Sequence, residues 1–257
     1  PPVPHPGWSR VLDATNFRSL CPQHDSRGIQ LGSEDCLFLN VFTPNIRRQQ
    51  IANGRNSQLP VMVYIQGLTL SHIHIQVMLF YNTFTILTIQ YLLKLKFLAE
   101  SFENGDSALY GAEKLLDRDV VVVTFNYRVG LLGFLSTDDE NASGNWGLHD
   151  KTKSLALEWV RNNIASFHGD PNTVTIFGQG AGLEIFKLNL CLKGLFHRAI
   201  AQSGSALCDW AIERSPLTYA REVAQSVGCP TSRNSDLVEC LRKIHFSQLL
   251  KAQSRGK

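Results

Sequence analysis

The 257-residue sequence predicts an α/β fold, a mostly parallel sheet flanked by helices. Three observations predict it. Continuous apolar runs at 61–65, 120–125 and 174–177 have the character of strands buried on both faces. An apolar stripe of helical period lies between the second run and the third. A glycine-rich turn, Gly178-Gln179-Gly180-Ala181-Gly182, follows the third run directly. Strands alternating with helices imply right-handed crossovers and parallel neighbours. In such sheets ligands bind beyond the carboxyl ends of the strands, where this turn falls.

Taken in order, residues 1–6 carry repeated prolines, which exclude a helix and predict an extended lead-in. With no initiator methionine and no signal-type apolar run at its start, the chain reads as a mature product or, better, a fragment. Residues 8–17 are expected to be extended, and a turn-rich region follows to Gly32. The run 36–42 is rich in β-branched and aromatic residues, ends at Thr43-Pro44 and reads as a strand. Residues 45–58 are polar and form a surface loop. The strand at 61–65 comes next. Residues 107–118 are a candidate helix before the strand at 120–125. The strongest helix spans 150–167, with Leu155, Ala156, Trp159, Val160 and Ile164 on one stripe. His168-Gly169-Asp170-Pro171 punctuates its exit. A fourth sheet strand is expected at 198–202.

One segment breaks this rhythm. From Leu68 to Leu98 there is no Gly, Pro, Asp, Glu, Ala or Arg. The run is apolar but interrupted by Gln76, Asn82 and Gln90, so a membrane span is not expected. It reads as an extra buried helix or as text foreign to the protein.

Composition bounds the function. A hydrophobic fraction of 44% and a charged fraction of 18% are those of a soluble globular protein. A net charge of +3 with scattered Lys and Arg gives no case for nucleic acid. The six cysteines contain no C-x-x-C pair, so no metal site is expected. Their spacing allows Cys21 to pair with Cys36, or Cys229 with Cys240, without establishing either. The sequon Asn141-Ala142-Ser143 fits a glycosylated loop of a secreted protein, although such triplets also arise by chance.

The chemistry concentrates at the glycine-rich turn. A strand, a G-x-S-x-G turn and a helix make a nucleophile elbow, which holds a serine hydroxyl up for attack. Here Gly180 stands where the serine belongs.

Several further motifs carry a resemblance. Residues 33–44 read SEDCLFLNVFTP, similar to the E-D-C-L-x-L-N-V signature of the type-B carboxylesterase/cholinesterase family. Residues 126–135, NYRVGLLGFL, resemble its N-Y-R-x-G-x-x-G-F-L segment, and 144–150, GNWGLHD, its G-N-x-G-L-x-D. Residues 167–171, FHGDP, resemble F-G-G-D-P with one change, and 201–205, AQSGS, contain its Q-S-G-S. The details are most similar to insect esterases. The resemblance implies an α/β-hydrolase fold, here truncated: residues 1–257 as the N-terminal half of a carboxylesterase domain, with a foreign-looking insertion at about 68–100.

The resemblance also implies the two disulfides Cys21–Cys36 and Cys229–Cys240, leaving Cys191 and Cys208 as buried thiols. Paired cysteines and a sequon imply secretion, or passage through an oxidising compartment. The implied substrate is a small-molecule carboxylic ester, with no cofactor; the oligomeric state is not specified.

Ester hydrolysis on this fold needs a serine, a histidine oriented by a carboxylate, and an oxyanion hole. Gly180 has nothing to acylate. Ser203 and Ser205 lie at the end of the next strand and read as structural. After Gly180 only His197 and His245 remain, and neither has the glycine-flanked setting of the family's catalytic histidine. The resemblance places acid and base in a C-terminal half beyond Lys257. The oxyanion donors would be the N–H of Ala181 and those of an H-G-G loop, for which this sequence has Gln66-Gly67-Leu68. The hole formed by Gly67, Leu68 and Ala181 is therefore expected to be degenerate. Residues 183–190 also depart from the family's small-residue helix. Both departures are rich in residues that A/T-rich DNA encodes, which suggests read-through of non-coding sequence or a defective gene copy. The expectation is a catalytically dead member of an ester-hydrolase family. The alternative is a non-catalytic adhesion or binding protein of neuroligin, neurotactin or glutactin type.

Overall fold

The computed structural model describes residues 5, 7–25, 28–44, 58–67, 112–151, 156–179, 194–202 and 213–255. Its centre is a five-stranded sheet in the order β3-β5-β4-β6-β7. The strands are β3 Leu39–Phe42, β4 Leu59–Ile65, β5 Val121–Phe125, β6 Gly169–Gln179 and β7 Arg198–Gln202. β3 runs antiparallel to β5, while the β5–β4, β4–β6 and β6–β7 pairs are parallel. The mostly parallel sheet expected from the apolar runs is present. A small antiparallel pair, β1 Gln23–His24 with β2 Gln30–Leu31, lies in the region expected to be turn-rich.

The apolar runs become strands because both faces of the sheet are covered. All five residues of β5 are buried, and Val61, Val63, Ile65, Val121, Val123, Val174 and Ile176 are wholly so or nearly. The helix α1 Glu113–Leu116 precedes β5. Between β5 and β6 lie α2 Gly130–Phe134, α3 Trp146–Lys151 and α4 Ala156–Asn163, which runs into the 3-10 turn Ile164–Phe167. Leu157, Val160 and Ile164 project from this last pair into the sheet core. Each such side chain contributes about 1.5–3 kcal/mol when buried.

Two boundaries differ from expectation. Of the helix expected over 150–167, the described residues form the end of α3 and the whole of α4, which tightens into a 3-10 turn. There the Asn163 side-chain amide donates to the Trp159 carbonyl at 2.9 Å, competing with the regular ladder. His168 then takes the left-handed conformation, φ 63°, and stops the helix. β6 is also longer than the run 174–177, because the Leu59 N–H bonds the His168 carbonyl and Leu59 pairs with Gly169, with a register shift before Val61 pairs with Val174. The expected helix at 107–118 is represented by α1; its earlier part lies outside the described residues, as does the whole of 68–100.

A second apolar cluster lies beside the first. It joins Leu131 and Ala142 to three further helices, α5 Pro216–Ser226, α6 Asn234–Lys243 and α7 Phe246–Arg255. Both disulfides are formed, Cys21–Cys36 with Cα atoms 4.8 Å apart and Cys229–Cys240 with 5.8 Å. The second joins the chain just after α5 to α6. Cys191 and Cys208 lie outside the described residues. Among the described residues no helix is long and apolar enough to cross a membrane.

Candidate active site

The parallel strands deliver their carboxyl ends to one edge of the sheet. Ile65 of β4 pairs with Gly178 of β6, and Gly178 pairs with Ala201 of β7. Gly67 therefore leaves β4 at the level where the chain leaves β6 toward position 180. The two loops of the expected site thus start side by side. Gly180, Ala181 and Leu68 themselves lie outside the described residues, as do Ser203 and Ser205.

Two contacts set the start of those loops. A Cβ on Gly178 would fall 2.2 Å from the Ile65 carbonyl oxygen, so only glycine lets β4 and β6 approach here. Behind β4, the buried Tyr127 donates its phenol hydrogen to the Gln66 carbonyl at 2.6 Å. That bond fixes the plane of the peptide whose N–H belongs to Gly67. Sequence reasoning placed Tyr127 in a family motif but gave it no role; a buried tyrosine at a strand's end, needing a hydroxyl partner, was the available signal.

The residues either side of Tyr127 anchor this corner. The Asn126 side-chain amide donates to the carbonyls of Ser19 and Cys36 at 3.1 and 3.0 Å, holding the first disulfide loop against β5. Arg128 makes a two-pronged ion pair with Asp150 of α3, through Nε at 2.8 Å and Nη2 at 2.7 Å, and its N–H also donates to that carboxylate. The Asp150 side chain is 1% exposed, so the pair shields a buried charge. Gly133 and Gly147 crowd the Arg128 carbonyl, where a Cβ would come within 2.2 and 2.3 Å of its oxygen. The glycines in the N-Y-R and G-N-W-G motifs thus serve close packing around one carbonyl.

The two downstream histidines make contacts with the backbone. His197 precedes β7, at the amino end of the parallel strands. Its Nδ1 accepts the Val174 N–H at 3.1 Å, while its own N–H donates to the Val174 carbonyl at 2.8 Å. The described end of β6, Gln179, lies about 16 Å further along the strand. His245 is exposed in the turn before α7, where its Nδ1 meets the Ser247 hydroxyl at 2.8 Å. Both are local fasteners of the backbone.

Asn141 sits in a half-buried loop. Its side-chain amide donates to Asp139 at 3.0 Å, and the amide of Asn234, at the start of α6, donates to the same carboxylate at 2.8 Å. The Thr137 hydroxyl, then the Asn234 and Asn141 amides, hold the Asp139 carboxyl well below the usual carboxylate range. This junction between loop and α6 was not foreseen. Its partners are 95 residues apart in sequence, and nothing local announces them.

Strand order, elbow glycine and anchoring motifs together define an α/β-hydrolase fold. The carboxylesterase family model matches residues 1–76 and 97–257, and the chain belongs to that family. It is 42% identical over 249 residues to bile salt-activated lipase of Mus musculus, covering 94% of this chain and 36% of that protein. It is 37% identical over 247 residues to esterase E4 of Myzus persicae, covering 94% of this chain and 38% of the other. Neuroligin-3 of Mus musculus is 33% identical over 289 residues, 97% of this chain and 31% of the other. The chain thus spans about a third of the length of the curated relatives it matches.

Proposed function

We propose that this chain is a carboxylic-ester-hydrolase relative that does not itself turn over esters. The observation that carries the reading is Gly180, which follows the end of β6 where the elbow's nucleophile belongs. Loss of such a serine lowers turnover by roughly six orders of magnitude. The contacts of His197 with Val174, at the amino end of the paired β6 and β7, support the same reading. So does Leu68 in place of the second glycine of the oxyanion loop. Any ligand of the ancestral pocket is a small carboxylic ester. The two disulfides support an extracellular setting or passage through an oxidising compartment.

The stretch at about 68–100 is read as foreign to the domain, and the family match, which leaves out 77–96, supports that. Sequencing the transcript tests it: a spliced message that still encodes the stretch counts against a defective gene copy. Hydrolysis of a chromogenic acetate ester tests the main proposal. The expected rate equals that of buffer with an unrelated protein, and saturable turnover above it overturns the reading. A second reading, a non-catalytic adhesion or binding role, is favoured by the same glycine, since binding needs no nucleophile. A full-length transcript that adds a membrane anchor to this domain would favour it.

A further inference from the structure

The loop between Thr137 and Ser143 carries an inference that rests on the reading of passage through an oxidising compartment. Thr137 and Ala142 close the loop. The Thr137 N–H donates to the Ala142 carbonyl at 2.9 Å, and the Ala142 N–H donates to the Thr137 hydroxyl at 3.1 Å. Both residues are buried, so 138–141 are held out as a tip between two fixed posts. Asp138 and Glu140 on the tip and Ser143 beyond it are exposed, and Asn141 is half-buried. Asn141-Ala142-Ser143 is also the one Asn-x-Ser/Thr triplet in the sequence.

The hydrogen bonds of Asn141 leave room for a sugar on its amide. A side-chain amide nitrogen has two hydrogens to donate. Nδ2 of Asn141 gives one to Asp139 at 3.0 Å, and the backbone N–H of Asn141 goes to the same carboxylate at 3.0 Å. One carboxylate bridging both nitrogens takes the amide hydrogen on the Cβ side. In a planar trans amide that hydrogen is kept, and a substituent on nitrogen replaces the one on the carbonyl side. A glycan on Nδ2 therefore preserves the bond to Asp139, and with it the junction to Asn234 of α6.

We propose that Asn141 is an N-glycosylation site whose glycan leaves the Asp139 junction intact. The donor is a lipid-pyrophosphate-linked oligosaccharide with N-acetylglucosamine at its reducing end. Nδ2 bonds the anomeric carbon as the carbon–oxygen bond to pyrophosphate breaks. The lipid pyrophosphate leaves with that electron pair, and Nδ2 loses one proton to a base. The product is a bulky, solvated surface group on the loop tip.

The test is expression of the whole chain behind a secretory leader, in eukaryotic cells that leave high-mannose glycans. The expected intact mass exceeds 28.7 kDa by one oligosaccharide. Ser143→Ala breaks the triplet, leaves Asn141 in place and is expected to lose that addition completely. A wild-type chain without the addition, or an addition that Ser143→Ala retains, overturns the proposal. Alkylation of the same material before reduction separates the site from the compartment. An unglycosylated chain whose Cys21, Cys36, Cys229 and Cys240 resist alkylation overturns the site alone. One in which they react overturns the compartment reading as well. The retained bond is tested by two deglycosylations. An endoglycosidase leaves one sugar on Nδ2, whereas peptide-N-glycosidase leaves Asn141→Asp and sets a second carboxylate against Asp139. The second product is expected to melt about 2–4 °C below the first. Equal melting temperatures would overturn the retained bond.

Discussion

His168 holds a left-handed backbone at φ 63°, where the family motif has glycine. A side chain in that conformation costs about 1–2 kcal/mol. The His168 N–H still bonds the Ala165 carbonyl, and its side chain is exposed, so little is lost by removing it. His168→Gly is expected to stabilise the chain by about 1 kcal/mol, read as a higher denaturant midpoint. Gly178 gives the opposite case. Gly178→Ala forces a Cβ onto the Ile65 carbonyl and should cost about 3 kcal/mol, opening β4 from β6. Asp139 supplies a pH test. Its folded carboxyl titrates below its unfolded value, chiefly through the Thr137 hydroxyl. Its stabilisation is therefore present above the unfolded value and lost as pH falls through the folded one. Melting temperatures measured from neutral pH into acid should fall less steeply for Asp139→Asn than for the wild type. At this scale Gly180 was legible because an elbow is a contiguous pattern. The duties of Tyr127, His197 and Asp139 were not, because each is defined by a partner distant in sequence.

Among the elements, β4 and β5 were plain in the sequence because strands buried on both faces must be continuously apolar. β6 extends beyond its apolar run because Gly169 pairs with Leu59 of β4, a backbone contact that leaves no apolar pattern. The helices α5–α7 drew no expectation, although Pro216 at a first helical position and the buried row Ala220, Val223, Ala224 were readable signals. Their burial depends on α2 and the 136–144 loop, contacts that no local pattern states. The β5–α3 corner offers a direct energetic test. Arg128→Met strands the buried Asp150 carboxylate and should cost about 3–5 kcal/mol in denaturant unfolding. Adding Asp150→Leu should recover most of that loss, because the penalty lies in the unpaired charge. A double variant as unstable as the single one would show that the pair is needed for packing.

For the whole molecule, the sheet ends β4 and β6 side by side, Ile65 against Gly178, and Gly180 follows in the sequence. Of the histidines after β6, His197 bonds the Val174 backbone and His245 the Ser247 backbone. Restoring the nucleophile alone is thus expected to fail: Gly180→Ser should hydrolyse a chromogenic acetate ester no faster than the wild type. The central claim, that this chain has the hydrolase frame without its nucleophilic chemistry, is tested most directly by covalent capture. Incubated with a fluorophosphonate and analysed by intact mass, the chain should keep its mass unchanged, as after denaturation. Stoichiometric addition of one phosphonyl group, on the folded chain only, would contradict the account.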